Sequence, residues 1–132
     1  MRPEDENFIV FSFCKSVADA EKVPPSKLTA HFEATKLDVL DCIGQGEVRV
    51  CCDAGDPDLI FAWAIVEGDA TVHYALAKRR LWASGDGAEM LRQLLADRWD
   101  RPCLVTHPLV ELARAGLTQP SVWTAEAARV AA

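Results

Sequence analysis

The sequence predicts a mixed α/β fold of α+β type, an antiparallel strand meander followed by β-α-β-α. Three observations predict it. Residues Glu47–Cys52 and Thr71–Ala77 alternate apolar with other side chains at the period of two that a half-buried strand requires. Between them, Leu59–Val66 is an unbroken apolar run, as in a central strand covered on both faces. After them, apolar residues switch to helical spacing and a short strand pattern returns at Cys103–Thr106.

Each element has a local reason. Asp5 is a candidate helix cap, and a helix is expected over Asp5–Val17, although Phe8, Phe11 and Phe13 fit neither period cleanly. Lys22–Pro25 reads as a linker because two prolines interrupt any element. Ser26 is the expected cap of a second helix, Lys27–Cys42, carrying Leu28, Phe32, Val39 and Leu40. Gly44-Gln45-Gly46 is its expected end. Val48, Val50 and Cys52 share one face of the first strand. The turn cluster Asp53–Asp58 leads to the apolar strand, and Glu67-Gly68-Asp69 leads to the third, where Val72, Tyr74 and Leu76 share a face. Short turns between consecutive strands predict the antiparallel meander. Ser84 or Asp86 is expected to cap a helix running to Arg98 with Met90, Leu91, Leu94 and Leu95 apolar. After the strand at Cys103, a helix Leu109–Ala115 is expected, then a strand Gln119–Trp123 and a short helical tail from Thr124.

The composition bounds what the chain can be. It has 132 residues, 50% hydrophobic and 26% charged, which suits one domain spanning 1–132 and argues against disorder. Its net charge is −6, from 14 Lys plus Arg and 20 Asp plus Glu, so a basic footprint for nucleic acid is missing. The longest apolar run falls well short of the roughly 20 residues that span a bilayer. The amino-terminal residues Glu4, Asp5 and Glu6 are acidic where a secretory leader is basic, so a cytoplasmic location is expected. Cys14, Cys42, Cys51, Cys52 and Cys103 are odd in number and form no C-x-x-C. They are expected to be small buried hydrophobes rather than a disulfide framework. Asp53, Asp56 and Asp58 lack EF-hand spacing, and His31, His73 and His107 lack ligand spacing, so no metal is expected. No G-x-S-x-G elbow and no Walker loop are present.

The junction after Thr71–Ala77 is the most site-like feature. Lys78-Arg79-Arg80 is the chain's triple basic run, and Ser84-Gly85-Asp86-Gly87 turns into a helix. Free amides and the positive end of a helix dipole favour an anion there, and glycines let the backbone approach a pyrophosphate. The carboxylate of Asp86 opposes that use.

The succession Asp56-Pro-Asp-Leu-Ile-Phe-Ala-Trp-Ala, Val72-His-Tyr-Ala-Leu-Ala-Lys, a Gly-x-Gly turn and a Leu-rich helix resembles the GNAT superfamily of acyl-CoA N-acyltransferases. More narrowly it resembles small GNAT-like proteins encoded by bacteriophages. Asp5-Glu-Asn-Phe-Ile-Val and Cys14-Lys-Ser add to the likeness, which runs from about residue 5 to about residue 117.

The resemblance implies a mixed sheet with helices on both faces and an acetyl-CoA cofactor. The family signature [R/Q]-x-x-G-x-[G/A] falls on Trp82, Ala83, Ser84, Gly85, Asp86 and Gly87. Its two small positions match, while Trp82 stands where Arg or Gln is expected. The strand residues Tyr74, Ala75, Leu76 and Ala77 would face the pantetheine arm, and Lys78, Arg79 and Arg80 the phosphates. Glu67 and His73 are the candidates for the general base, His having an intrinsic pKa of about 6.5. The tyrosine that many members carry in the helix after the fifth strand has no counterpart in Leu109–Ala115.

An enzyme of this kind would take a small-molecule or protein amine as acceptor. The alternative is a non-catalytic member, a virion component or a module that binds a host protein, for which Trp82, Asp86 and the missing tyrosine speak. Membrane and nucleic acid are not expected partners. A homo-oligomer by exchange of Gln119–Trp123 is compatible with the resemblance.

Overall fold

The computed structural model describes residues 2–81, 84–107 and 123–125. The chain divides into two compact units, Met1–Gln45 and Gly46–Ala132.

The first unit is a pair of helices, α1 (Glu6–Glu21) and α2 (Leu28–Gln45), each preceded by a 3-10 turn, Pro3–Asp5 and Pro25–Lys27. Proline suits the first position of such a turn, where no N–H is needed. Asp5 does not cap α1 through its side chain. Its carboxylate, 4% exposed, instead accepts hydrogen bonds from Arg2, from the backbone N–H at 3.0 Å and from Nη2 at 2.9 Å. Those bonds hold the Asp5 carboxyl below the usual carboxylate range.

The helix α1 runs four residues past the expected Val17. It stops where Lys22 adopts the left-handed conformation, φ +55°, and its N–H reaches back to the carbonyl of Asp19 at 3.3 Å. Ser26 lies inside the second 3-10 turn rather than capping α2. The helix α2 continues through Gly44 to Gln45, since one glycine costs a helix only about 1 kcal/mol. Phe11 and Phe32 meet edge to face with ring centroids 6.1 Å apart, tying α1 to α2.

The second unit is a five-stranded mixed sheet in the order β1 (Glu47–Cys52), β2 (Ile60–Glu67), β3 (Thr71–Ala77), β4 (Cys103–Val105), β5 (Trp123–Ala125). The first three strands form the antiparallel meander that the alternation predicts. The next two run parallel to β3, and α3 (Asp86–Leu94) connects β3 to β4. In the first turn, Gly55 N–H donates to Asp53 Oδ2 at 2.9 Å and Asp58 N–H to Asp56 Oδ1 at 3.1 Å, so those carboxylates shape a solvated loop. The strand β2 buries five consecutive residues, Ala62–Val66, as expected of a strand covered on both faces. Leu91 and Leu95, four apart, are the buried stripe of the α3 segment.

The helix α3 is shorter than its apolar pattern suggests. It ends at Leu94, and the residues after it serve loop contacts. Its cap is Gly85, φ +82°, and not Ser84 or Asp86. Cys14, Cys42 and Cys103 are buried as expected, but Cys51 is half-buried and Cys52 exposed. A bulge between those two residues interrupts the β1–β2 register and ends the alternation. The helix expected over Leu109–Ala115 and most of the tail lie outside the described residues. Thr124 and Ala125, expected to open a helix, belong to β5 instead. Among the described residues no helix is long and apolar enough to cross a membrane.

Arg49 on β1 clamps the segment after α3. Its guanidinium binds Asp97 through two parallel bonds, 2.7 and 3.0 Å, and donates to the carbonyl of Leu94 at 2.9 Å. These hydrogen bonds hold the Asp97 carboxyl well below the usual carboxylate range. A carboxyl whose folded pKa is depressed stabilises the fold above its unfolded value, about 3.9. That contribution is lost as pH falls through the lower folded value. Urea midpoints measured from pH 7 down to pH 2 should therefore fall more steeply below about pH 4 in the native chain than in Asp97→Asn. Parallel curves would show that the Arg49–Asp97 clamp contributes nothing to acid sensitivity.

Candidate functional site

The β3–β4 ladder is short. Among the described residues Thr71 pairs with Leu104 and Val72 with Val105, and no further pair follows while β3 continues to Ala77. The next residue on each strand, His73 on β3 and Thr106 after β4, carries a polar side chain. These two meet across the ladder's end, His73 Nδ1 lying 2.9 Å from Thr106 Oγ1.

On the other side of β3, a bulge between Ile65 and Val66 shifts the β2–β3 register. Ile65 pairs with Tyr74 and Val66 with Val72, so His73 is skipped. A bulge re-aims the side chain that it leaves out of register. Here His73 Nε2 comes 3.0 Å from Oε1 of Glu67, the last residue of β2. The turn that returns β2 into β3 contains Gly68 at φ +54°, a conformation that favours glycine.

The result is a chain of four side chains. Glu67 is bonded to His73, His73 to Thr106, and Thr106 Oγ1 to His107 Nδ1 at 2.8 Å. Its buried member is His73, with a side chain 3% exposed against 41% for Glu67, while Thr106 and His107 are half-buried. The Glu67 carboxylate thus meets solvent on one side and the buried imidazole on the other.

Glu67 and His73, singled out in the sequence, are brought together. The sequence gives no role to Thr106 and His107. The available signal was that Thr106 closes, and His107 follows, the short strand expected over Cys103–Thr106.

The residues assigned to a cofactor lie further along the chain. Tyr74, Ala75 and Ala77 are buried and Leu76 is half-buried. The Tyr74 ring packs on Trp63, centroids 5.8 Å apart. The backbone N–H of Lys78 donates to the carbonyl of Phe61 at 2.9 Å, and a 3-10 turn over Arg79–Leu81 follows. The guanidinium of Arg80 stands 5.9 Å over the Phe61 ring.

At the turn, a side-chain carbon on Gly85 would meet nothing within 4 Å, and Gly87 is buried in the first turn of α3. Ser84 Oγ lies 3.1 Å from the carbonyl of Leu81 and 3.0 Å from Asp86 Oδ2. The exposed carboxylate of Asp86 is therefore held beside the amino end of α3. Trp82 and Ala83 lie outside the described residues. The turn and the Glu67–His73 pair are separated by most of the length of β3, roughly 13 Å for the four residues from His73 to Ala77.

Comparison with protein-family models, with curated proteins and with solved structures finds no match.

Proposed function

We propose that the chain is an acyl-CoA-dependent N-acyltransferase of the GNAT type, with Glu67 as its general base. The observation that carries this reading is the early end, among the described residues, of the β3–β4 ladder after Val72 and Val105, at a point lined by the polar pair His73 and Thr106. Strands that stop pairing partway leave room between them for an extended ligand, whose amide groups a strand backbone can bond. The connection β3–α3–β4 through the Gly85 turn supports the same reading.

The chain's residues fit such a cofactor at the turn. Gly85 has open space where a side chain would otherwise stand, and the first amides of α3 point out of the helix, as a pyrophosphate requires. Lys78 and Arg80 supply positive charge nearby, and the backbone of Tyr74–Ala77 is the strand that would run beside the pantetheine arm. Bound acyl-CoA supplies the activated acyl group. Glu67 accepts the proton that the acceptor amine must lose, since an ammonium has no lone pair with which to attack. Both ring nitrogens of His73 are engaged, so it orients Glu67 rather than taking the proton itself.

Thermal unfolding with acetyl-CoA tests the reading. At 100 times its dissociation constant a ligand stabilises the native state by about 2.7 kcal/mol. For a chain of this size that raises Tm on the order of ten degrees. Asp86→Asn should tighten acetyl-CoA binding about three- to tenfold, because it removes a negative charge from the phosphate site while leaving the backbone alone. Gly85→Glu should abolish binding. Its left-handed backbone adds a strain of about 1–2 kcal/mol, so binding is measured well below the variant's own midpoint. No shift at millimolar acetyl-CoA in either the native chain or Asp86→Asn would overturn the enzyme reading.

A second reading, a non-catalytic module of phage type that binds a protein, is favoured by the first unit. Phe8 is 38% exposed, and Phe11, 57% exposed, edges a mainly apolar cavity that Val10, Cys14 and Phe32 line together with Asn7, Glu33 and Lys36. Under that reading acetyl-CoA has no effect, and Phe11→Ser weakens assembly with the partner.

A further inference from the structure

We propose that Thr106 and His107 are positioning residues for Glu67: together they hold His73 in the one tautomer that presents Nε2–H to the carboxylate. This rests on Glu67 acting as the base, and it goes beyond that reading by assigning two residues and a direction to the hydrogen-bond chain.

The assignment follows from counting hydrogens. A neutral imidazole has one donor and one acceptor nitrogen, a carboxylate only accepts, and a hydroxyl has a single hydrogen. His73 Nε2 faces the Glu67 oxygen at 3.0 Å, so Nε2 carries the hydrogen and Nδ1 is the acceptor. Thr106 Oγ1, at 2.9 Å, then donates its hydrogen to Nδ1. With that hydrogen used, Oγ1 offers only lone pairs to His107 Nδ1 at 2.8 Å, so His107 is the Nδ1–H tautomer.

Among the described residues two other acceptors compete for the Thr106 hydrogen: the carbonyl of His73 at 3.4 Å, and His107 Nδ1 at 2.8 Å were that ring the Nε2–H tautomer. The carbonyl is the poorer partner by distance, and choosing either would leave the His73 Nδ1 acceptor unsatisfied in a side chain 3% exposed. Glu67 and the Thr106 hydroxyl thus favour the same tautomer of His73 from its two sides, and His107 Nδ1–H, donating to Thr106 Oγ1, keeps the hydroxyl's hydrogen on His73. Glu67, 41% exposed, would otherwise be free to swing into solvent. Buried His73, backed by Thr106 and His107, is what fixes it at the end of β2.

The test uses the full chain labelled with nitrogen-15 in histidine. Long-range proton–nitrogen correlation spectra should show His73 as the Nε2–H tautomer and His107 as the Nδ1–H tautomer. Thr106→Val keeps the side chain's shape and removes the hydroxyl. It should turn His73 into a mixture of tautomers, and Thr106→Ser should restore the native spectrum. In acyl transfer, Thr106→Val should lower kcat about ten- to a hundredfold while KM for acetyl-CoA changes less than about twofold, and Thr106→Ser should recover most of kcat.

His107 found as the Nε2–H tautomer in the native chain would overturn the proposal, a result that needs no variant to fold. So would a His73 spectrum unchanged in Thr106→Val, or a kcat that Thr106→Ser fails to recover. If the native chain transfers no acyl group, the acyltransferase reading fails. The spectra then still decide whether Thr106 and His107 set the tautomer of His73.

Discussion

Trp63→Ala is expected to destabilise the protein by about 4 kcal/mol, within the range of about 3–5 kcal/mol for truncating a buried aromatic residue. Trp63 is 0% exposed and sits in the middle strand of the meander. It pairs in register with Val50 on β1 and Leu76 on β3, so its ring lies over both ladders. The tilted contact with Tyr74 adds an aromatic pair worth about 0.5–1.5 kcal/mol beyond burial. A tryptophan leaves a large void that rigid flanking strands cannot collapse around. Trp63→Phe, which keeps a ring, should cost clearly less. Urea unfolding of both variants measures the difference. A loss under about 1 kcal/mol for Trp63→Ala would mean that the sheet's interior is held by other contacts. The variant also bears on function, because Tyr74 opens the strand segment assigned to the cofactor.

The meander was legible because period-two alternation and an unbroken apolar run are direct consequences of one-sided and two-sided burial. The turns were legible because Asp53–Asp58 and Glu67–Asp69 carry the residues whose side chains bond their own backbone or tolerate positive φ. Helix ends were less legible. Ser26 and Asp5 look like caps, yet a 3-10 turn takes in the first and Arg2 engages the second. Either use satisfies the same polar atoms, and spacing alone does not choose between them.

The candidate site was legible only as separate residues. Glu67 at a turn and His73 in a strand could be named, but their contact depends on the bulge between Ile65 and Val66. A bulge leaves no mark in an alternation of apolar residues. Thr106 and His107 are more than thirty positions away from His73. Only the parallel pairing of β4 with β3 brings them to it, and nothing in a local pattern encodes which strands become neighbours. The glycine turn was read correctly as a turn but not as a cap, since Gly85 ends up in the left-handed region where Ser84 and Asp86 were expected to serve.

Arg98→Met is expected to cost about 3 kcal/mol, since each hydrogen bond from a charged donor is worth about 1.5–3 kcal/mol. Arg98 is 3% exposed. Its guanidinium donates to the carbonyl of Thr71 at 2.9 Å and to that of Gly68 at 3.0 Å, gripping both sides of the β2–β3 turn. Methionine fills similar volume but donates nothing, so both carbonyls lose a charged donor. Arg98→Lys should recover only part of the loss, because one ammonium does not reproduce the planar fork that spans two acceptors.

Calorimetry should find Tm lower by about ten degrees in Arg98→Met. Amide exchange should speed up first at Gly68–Thr71 if the grip is local. Glu67 immediately precedes this turn, so loosening it should also weaken the Glu67–His73 contact and lower any acyl-transfer rate before the domain unfolds. A variant with native stability and native exchange at Gly68–Thr71 would show that the backbone of the turn holds itself. The rigidity of Glu67 would then have to come from His73, Thr106 and His107 alone.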